Sequence, residues 1–367
     1  MRILIVPDKF KGSLTAAQVC DAAAEGLSKK FPDAHIIKLP LADGGEGTAQ
    51  ILTEYFKGKT VKLIVHGPLG QEVEAMYGTD NGSTAFIEMA SASGLQLIDK
   101  EKRDPMETTT FGTGELIRHA IEHGASKIVL GIGGSSTNDA GIGMAEALGF
   151  KFLDASGNRL KSVGKNLTHI EHIDMSGVMP ELKTVAVTAL CDVNNPLYGL
   201  NGAAHIYGPQ KGAGPDAVEL LDQGLINFER VAKKTFGRSA DFAGAGAGGG
   251  IAGGASVFFK LTVRPGTRFV METLKVFEEI GAADLIITGE GKIDRQTLAG
   301  KVVASVAQHA AGFNKKVIAL CGVCELRKNE LEKIGVKEVV SLTDPFTSPE
   351  EAVKNAWGLI VQKIGLL

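Results

Sequence analysis

The side chains able to hold and move charge in this sequence gather in polar loops, most of them directly after an apolar run of strand length. Asp8-Lys-Phe-Lys-Gly-Ser13 sets Lys9, Lys11 and Ser13 just before a helix start, where orphan backbone N–H groups attract a phosphate or carboxylate. An ordinary cap needs only one hydroxyl, from Ser13 or Thr15, so the two lysines exceed what capping asks. Ala42-Asp-Gly-Gly-Glu-Gly-Thr48 puts Asp43 and Glu46 among glycines, a pattern that suits Mg2+ held by one or two carboxylates plus phosphate oxygens and water. The richest loop is Gly133, Gly134, Ser135, Ser136, Thr137, Asn138 and Asp139: its glycines let N–H groups converge, and its side chains offer directional hydrogen bonds to hydroxyl or phosphate oxygens. Cys191-Asp-Val-Asn-Asn-Pro196 places Asp192 at a strand end with Asn194 beyond it. An Asx turn before Pro196 explains such a residue; so does an aspartate that accepts a hydroxyl proton or binds metal in phosphoryl transfer. Gly208-Pro-Gln-Lys-Gly-Ala213 adds Lys211 in a turn, and Thr288-Gly-Glu-Gly-Lys-Ile-Asp294 joins Glu290, Lys292 and Asp294 in one expected loop, with Thr297 and Lys301 after it. Mixed charge of this kind at strand ends suits Mg–nucleotide chemistry better than a hydrophobic cofactor.

Other chemistries are poorly supplied. Gly58-Lys-Thr60 has Thr53 where a Walker A loop needs its first glycine. Gly244, Gly246 and Gly249 spell a dinucleotide fingerprint, but they follow a helical stretch, and the register slides along a run holding seven glycines between Phe242 and Phe259. That run reads as a glycine loop approaching phosphate or packing closely. Cys321-Gly-Val-Cys324 has redox spacing without a second pair for zinc, and reads as core or loop thiols. His119 and His123 lack the glutamate of a zinc-protease helix and read as a solvated face.

These loops need elements to hold them. Arg2–Val6, His35–Leu39, Asp284–Thr288, Lys316–Leu320 and Glu338–Leu342 read as strands separated by helical stretches, an α/β grammar found at both ends of the chain. The middle differs, because Val61–Val65 and Glu72–Tyr77 alternate like antiparallel strands around Gly67-Pro-Leu-Gly70. We expect an α/β fold of two domains. Residues 1–64 and 283–367 form a doubly wound, Rossmann- or flavodoxin-like parallel sheet, and residues 65–282 form an inserted α/β domain of mixed sheet, with the active site in the cleft between them. Composition agrees with a folded chain: of 367 residues, 44% are hydrophobic and 22% charged. A net charge of −3 with no basic run argues against nucleic acid, and the absence of an export signal or apolar span argues against a membrane. Four cysteines in such a chain suggest reduced thiols and a cytoplasmic location. The oligomeric state is not fixed by sequence.

Taken in order, Asp8–Leu14, Ala42–Thr48, Thr110-Phe-Gly-Thr-Gly-Glu-Leu116, Gly131–Asp139, Cys191–Leu197, Gly208–Ala213 and Ile287–Asp294 resemble the bacterial glycerate kinases of the glucarate and glyoxylate pathway type. Ser136 stands where the family is expected to have Ala, and Ala140 where Gly is expected. The resemblance implies ATP- and Mg2+-dependent phosphorylation of D-glycerate, with 2-phospho-D-glycerate as product; a 3-kinase and a non-enzymatic module binding a small acid are the alternatives. It assigns no roles, so these come from chemistry. Asp192 is the expected base, with Asp294 its rival. Lys9, Lys11 and Lys292 would stabilise phosphate or carboxylate charge, and Asp43, Glu46 and Glu290 would contact metal directly or through water. The Gly133–Asp139 loop, Ser13, Asn194 and Lys211 would serve substrate or ATP.

Overall fold

The computed structural model describes residues 1–344 and 346–367. Its strands are, in chain order, β1 (Arg2–Pro7), β2 (His35–Lys38), β3 (Thr60–His66), β4 (Glu72–Thr79), β5 (Thr84–Glu88), β6 (Lys127–Gly131), β7 (Lys151–Leu153), β8 (His172–Asp174), β9 (Ala186–Leu190), β10 (Lys260–Arg264), β11 (Leu285–Ile293), β12 (Lys316–Cys324) and β13 (Glu338–Ser341). The chain divides into two compact units, one of Met1–Asp43 with Pro265–Leu367 and one of Gly44–Arg264.

In the unit containing both termini, Ile3, Leu4, Ile5 and Val6 are wholly buried, as a continuous apolar strand must be when helices cover both faces of a parallel sheet. The order is β13-β12-β11-β1-β2, all parallel. Counted within this unit that is 2-1-3-4-5, the flavodoxin-like order, whose switch point lies between β1 and β11. Pro7, Gly289, Leu320 and Val340 stand level across four strands, so Asp8, Glu290, Cys321 and Ser341 follow at one edge. The helix Ala16–Lys30 starts at a capping box in which the Thr15 hydroxyl accepts from Gln18 N and Gln18 Oε1 accepts from Thr15 N. It crosses the helix Ala356–Gly365 so closely that a Cβ at Gly26 would lie 2.6 Å from Val361 O.

The second unit carries the sheet β10-β9-β6-β5-β4-β3, in which β5, β6, β9 and β10 are parallel and β3 and β4 form the expected antiparallel edge. Glu88, Gly131, Leu190 and Arg264 stand level, which aligns the loops after β6 and β9 side by side. β7 and β8 make a separate antiparallel pair.

The unit boundaries fall at 43/44 and 264/265, not at 64/65 and 282/283. The helix Thr48–Tyr55 belongs with the second sheet: Ala49 N donates to Glu88 Oε1, and Gly78 of β4 leaves room for the Thr53 hydroxyl. β3 is that sheet's edge, while the helices Gly266–Thr273 and Val276–Ala282 pack with Val302–Ala311 of the other unit. A second difference concerns Glu290 and Lys292, expected in a loop. β11 continues to Ile293 because its pairing with β12 persists to Cys324, so both residues lie on the strand.

Candidate functional site

In the second unit the loop after β6 is held almost entirely by its own polar residues. Gly131 and Gly133 sit against Gly44 and Gly45; a Cβ at Gly131 would lie 2.6 Å from Gly44 O. The Ser136 hydroxyl and N–H both donate to Ser93 O (3.0 and 2.9 Å), and Thr108 Oγ1 donates to Ser136 O. Asp139 is wholly buried and accepts from Thr110 N and Oγ1 (both 2.8 Å), Gly143 N and Gly141 N (both 3.2 Å). Burial pushes its carboxyl up against those four donors, which hold it down. Ser136 and Asp139 thus serve the loop's own fold. The side-chain oxygen and nitrogen of Asn138, also wholly buried, and Thr137 Oγ1 have no partner among the described residues.

Lys211 closes the short turn Pro209–Lys211 and reaches the same loop, donating to Ser135 Oγ (2.8 Å) and Thr137 O (2.6 Å). Burial pulls its ammonium from the ordinary 10.5 to about 7, with Asp139 opposing the fall. The native chain therefore binds fewer protons than the unfolded one between pH 7 and 10.5, and stability rises with pH across that window. Lys211→Met is expected to flatten this rise, of order 4 kcal/mol in total, in denaturant melts at pH 7 and 10.

Asp192, exposed beyond β9, stands beside this loop because β6 and β9 are paired with Gly131 opposite Leu190. Asn194 is exposed as well. Its neighbour Asn195, which sequence reasoning passed over, fixes the segment: its amide donates to Asn201 O, its side-chain oxygen accepts from Tyr207 OH, and its carbonyl accepts from Gly244 N and Gly246 N. The glycine run packs closely here. Gly248, Gly249 and Gly250 have φ of 63°, 77° and 89°, and a Cβ at Gly249 would sit 1.9 Å from Thr137 O. The run presses on the 137–140 backbone and follows the helix Pro215–Phe236, not a strand.

In the terminal unit the switch point carries carboxylates. Asp8, 8% exposed, is raised to about 7 by burial and by Asp43, with Lys9 pulling the other way. Glu290 is raised chiefly by burial, although its Oε1 accepts from the buried Thr297 hydroxyl at 2.6 Å. Asp8 is the residue sequence reasoning left out of the metal set, although its place at the end of β1 marked it. Among the described residues no group of three or more His, Cys, Asp or Glu is set to hold a metal ion by itself. Mg2+ needs only one or two carboxylates, and the mutual repulsion among Asp8, Asp43 and Glu290 fits a cation there. Glu46 is exposed and lies in the other unit.

Lys292 pairs with Glu325 at 2.8 Å and with Asp294 at 3.7 Å, and the Glu325 bond holds its ammonium up. Asp294 Oδ1 accepts from Gln296 N. Lys11 is exposed, and the Ser13 hydroxyl is given to Val353 O, so Ser13 ties down the helix Pro349–Lys354. Past β11 and β12 lies a depression of about 600 Å3 whose cations, Arg295, Arg327 and Lys333, sequence reasoning did not single out, because they alternate with Glu325 and Glu330. Cys321 is buried and Cys324 half-buried on β12. A hydrogen bond from Cys321 lowers the Cys324 thiol to about 6 and raises Cys321.

The family model of the glycerate kinase family matches residues 3–365. The chain belongs to the glycerate kinase family. A protein named glycerate 2-kinase from Escherichia coli is 43% identical over 97% of this chain and 94% of its own. One named glycerate kinase from Haemophilus influenzae is 46% identical over 88% of this chain and 86% of its own. The crystal structure of a putative glycerate kinase 2 from Salmonella typhimurium is similar with a TM-score of 0.87 and 42% identity, over 100% of this chain and 96% of that one. Family membership makes this chain a kinase of mixed α/β fold. No helix among the described residues is long and apolar enough to cross a membrane.

Proposed function

We propose that this protein transfers the γ-phosphoryl group of ATP to the 2-hydroxyl of D-glycerate, giving 2-phospho-D-glycerate and ADP. The observation that carries the reading is the likeness to the E. coli glycerate 2-kinase along nearly the full length of both chains. Asp192 takes the hydroxyl proton as the oxygen attacks phosphorus, while the bond from phosphorus to the ADP oxygen breaks. Gly133, Gly134, Ser135 and Asn138 orient the small substrate, with Asn194 at the neighbouring strand end. Lys9 and Lys11 offer charge to phosphate at the β1 edge. Lys292 and Asp294 lie beside the Arg295–Arg327–Lys333 depression, which suits a nucleotide's phosphate chain. Mg2+ would neutralise phosphate charge. Asp8, Asp43 and Glu290 are the carboxylates that would hold it.

The test is an ADP-release assay with Mg-ATP and D-glycerate, the products being passed to enolase alone and to enolase with phosphoglycerate mutase. Signal from enolase alone is expected. Signal only after mutase makes the protein a 3-kinase, and no ADP removes the kinase reading for D-glycerate.

A further inference from the structure

An ammonium has three protons to donate, and Lys211, 2% exposed, places two of them on Ser135 Oγ and Thr137 O. Both acceptors are neutral, and no carboxylate contacts Nζ among the described residues. The opposite charge that acts on it, Asp139, directs its own bonds to Thr110, Gly141 and Gly143. A buried cation with a donor to spare is costly unless an anion completes it. Ser135 Oγ, having accepted from Lys211, still has its own proton, for which the described residues provide no acceptor. At 7% exposed, Ser135 is where this buried group meets the surface. Further along the same loop, Thr137 Oγ1 and both polar atoms of the Asn138 side-chain amide are buried without partners among the described residues. Native folds leave few such groups, and three on consecutive residues mark a place where a ligand supplies what the chain does not.

We propose that Lys211 and Ser135 form the seat for the carboxylate of the small acid substrate, and that its arrival is accompanied by uptake of a proton onto Lys211. This rests on the kinase reading above for the identity of the acid. A neutral amine still donates two hydrogen bonds, so the bonds to Ser135 and Thr137 survive deprotonation and the loop keeps its shape at every pH. The carboxylate needs the third proton. With the amine of the empty protein titrating near 7, binding above that pH requires the proton first. The titratable group acting on Lys211 is Asp139. The other charged groups on segments packed against its turn are Arg103, whose backbone abuts Gly212, and His205, which faces Glu219 and Asp222.

The experiment is calorimetric binding of D-glycerate to the full chain without nucleotide, at pH 6, 7 and 8, each in two buffers of different ionisation enthalpy. Glycerol and inorganic phosphate are the parallel arms. Proton uptake near zero at pH 6 and approaching one at pH 8 is expected, with affinity falling about fivefold from pH 7 to 8. Glycerol, which lacks the carboxylate, should show no uptake. Lys211→Met should abolish uptake and weaken binding, whereas Ser135→Ala should weaken binding with uptake retained, so the proposal stays testable if the lysine variant does not fold. Glycerate binding without uptake in the wild type, or uptake that persists in Lys211→Met, overturns the proposal. Uptake driven by phosphate and not by glycerate overturns its carboxylate half. If D-glycerate does not bind but another 2-hydroxy acid, such as D-lactate, binds with uptake, the seat stands and the glycerate reading falls.

Discussion

Replacing Asp192 by Asn is expected to lower kcat by about 10²- to 10⁴-fold, the range that a positioned general base contributes, with thermal unfolding unchanged. Asn keeps the size and one hydrogen-bonding oxygen of Asp but cannot accept the hydroxyl proton. Folding is spared because the segment is anchored by its neighbours: Asn195 through four hydrogen bonds, and Cys191 N by donation to Arg264 O. The pairing of β6 with β9 sets Asp192 next to the serine-rich loop, where the substrate hydroxyl would be presented. Steady-state kinetics with D-glycerate check the expectation, with Asp294→Asn run in parallel. Near-wild-type turnover for Asp192→Asn combined with a large loss for Asp294→Asn would transfer the role to Asp294. Little loss in either would leave transfer to be driven by positioning and electrostatics alone.

How much of this could be read from residue order depended on whether the signal was local. β1 was legible because Ile3–Val6 form a continuous apolar run, and the β3–β4 hairpin because its alternation is interrupted by a Gly-Pro turn. The strand-end loops were legible because polar residues crowd into them. What escaped depends on partners far along the chain. The helix Thr48–Tyr55 looks like the second helix of the terminal unit, but its packing is decided by Glu88 and Gly78 of the other sheet. β11 runs past its glycines because β12 offers paired backbone as far as Cys324. The roles of loop residues were the least legible. Ser136 and Asn138 look interchangeable as polar loop residues, but the side chain of one is bonded within the fold and that of the other finds no partner among the described residues. The glycine run resembles a nucleotide fingerprint in one dimension, and only the 137–140 backbone pressed against it explains the missing side chains.

Asp139 carries the largest expected effect on stability. Its Oδ2 accepts from Thr110 N, Thr110 Oγ1 and Gly143 N, and its Oδ1 from Gly141 N, all in the buried interior. Asp139→Ala removes the shared acceptor and leaves those donors unpaired, a change expected to cost about 3–5 kcal/mol in denaturant melts of the variant against the wild type. Asp139→Asn separates shape from charge. Its oxygen can take the Oδ2 position, but its NH2 then faces the N–H of Gly141, and the expected cost is about 1–3 kcal/mol. An alanine variant that melts at the wild-type denaturant concentration would mean that water reaches the donors and that the carboxylate does not organise the loop. The asparagine variant also bears on Lys211, because Asp139 is the charge that opposes its loss of a proton. With that charge gone the amine of the empty protein should be neutral at a lower pH. The pH at which ligand binding begins to take up a proton should then move down from near 7, although neither bond from Lys211 to the loop has been touched.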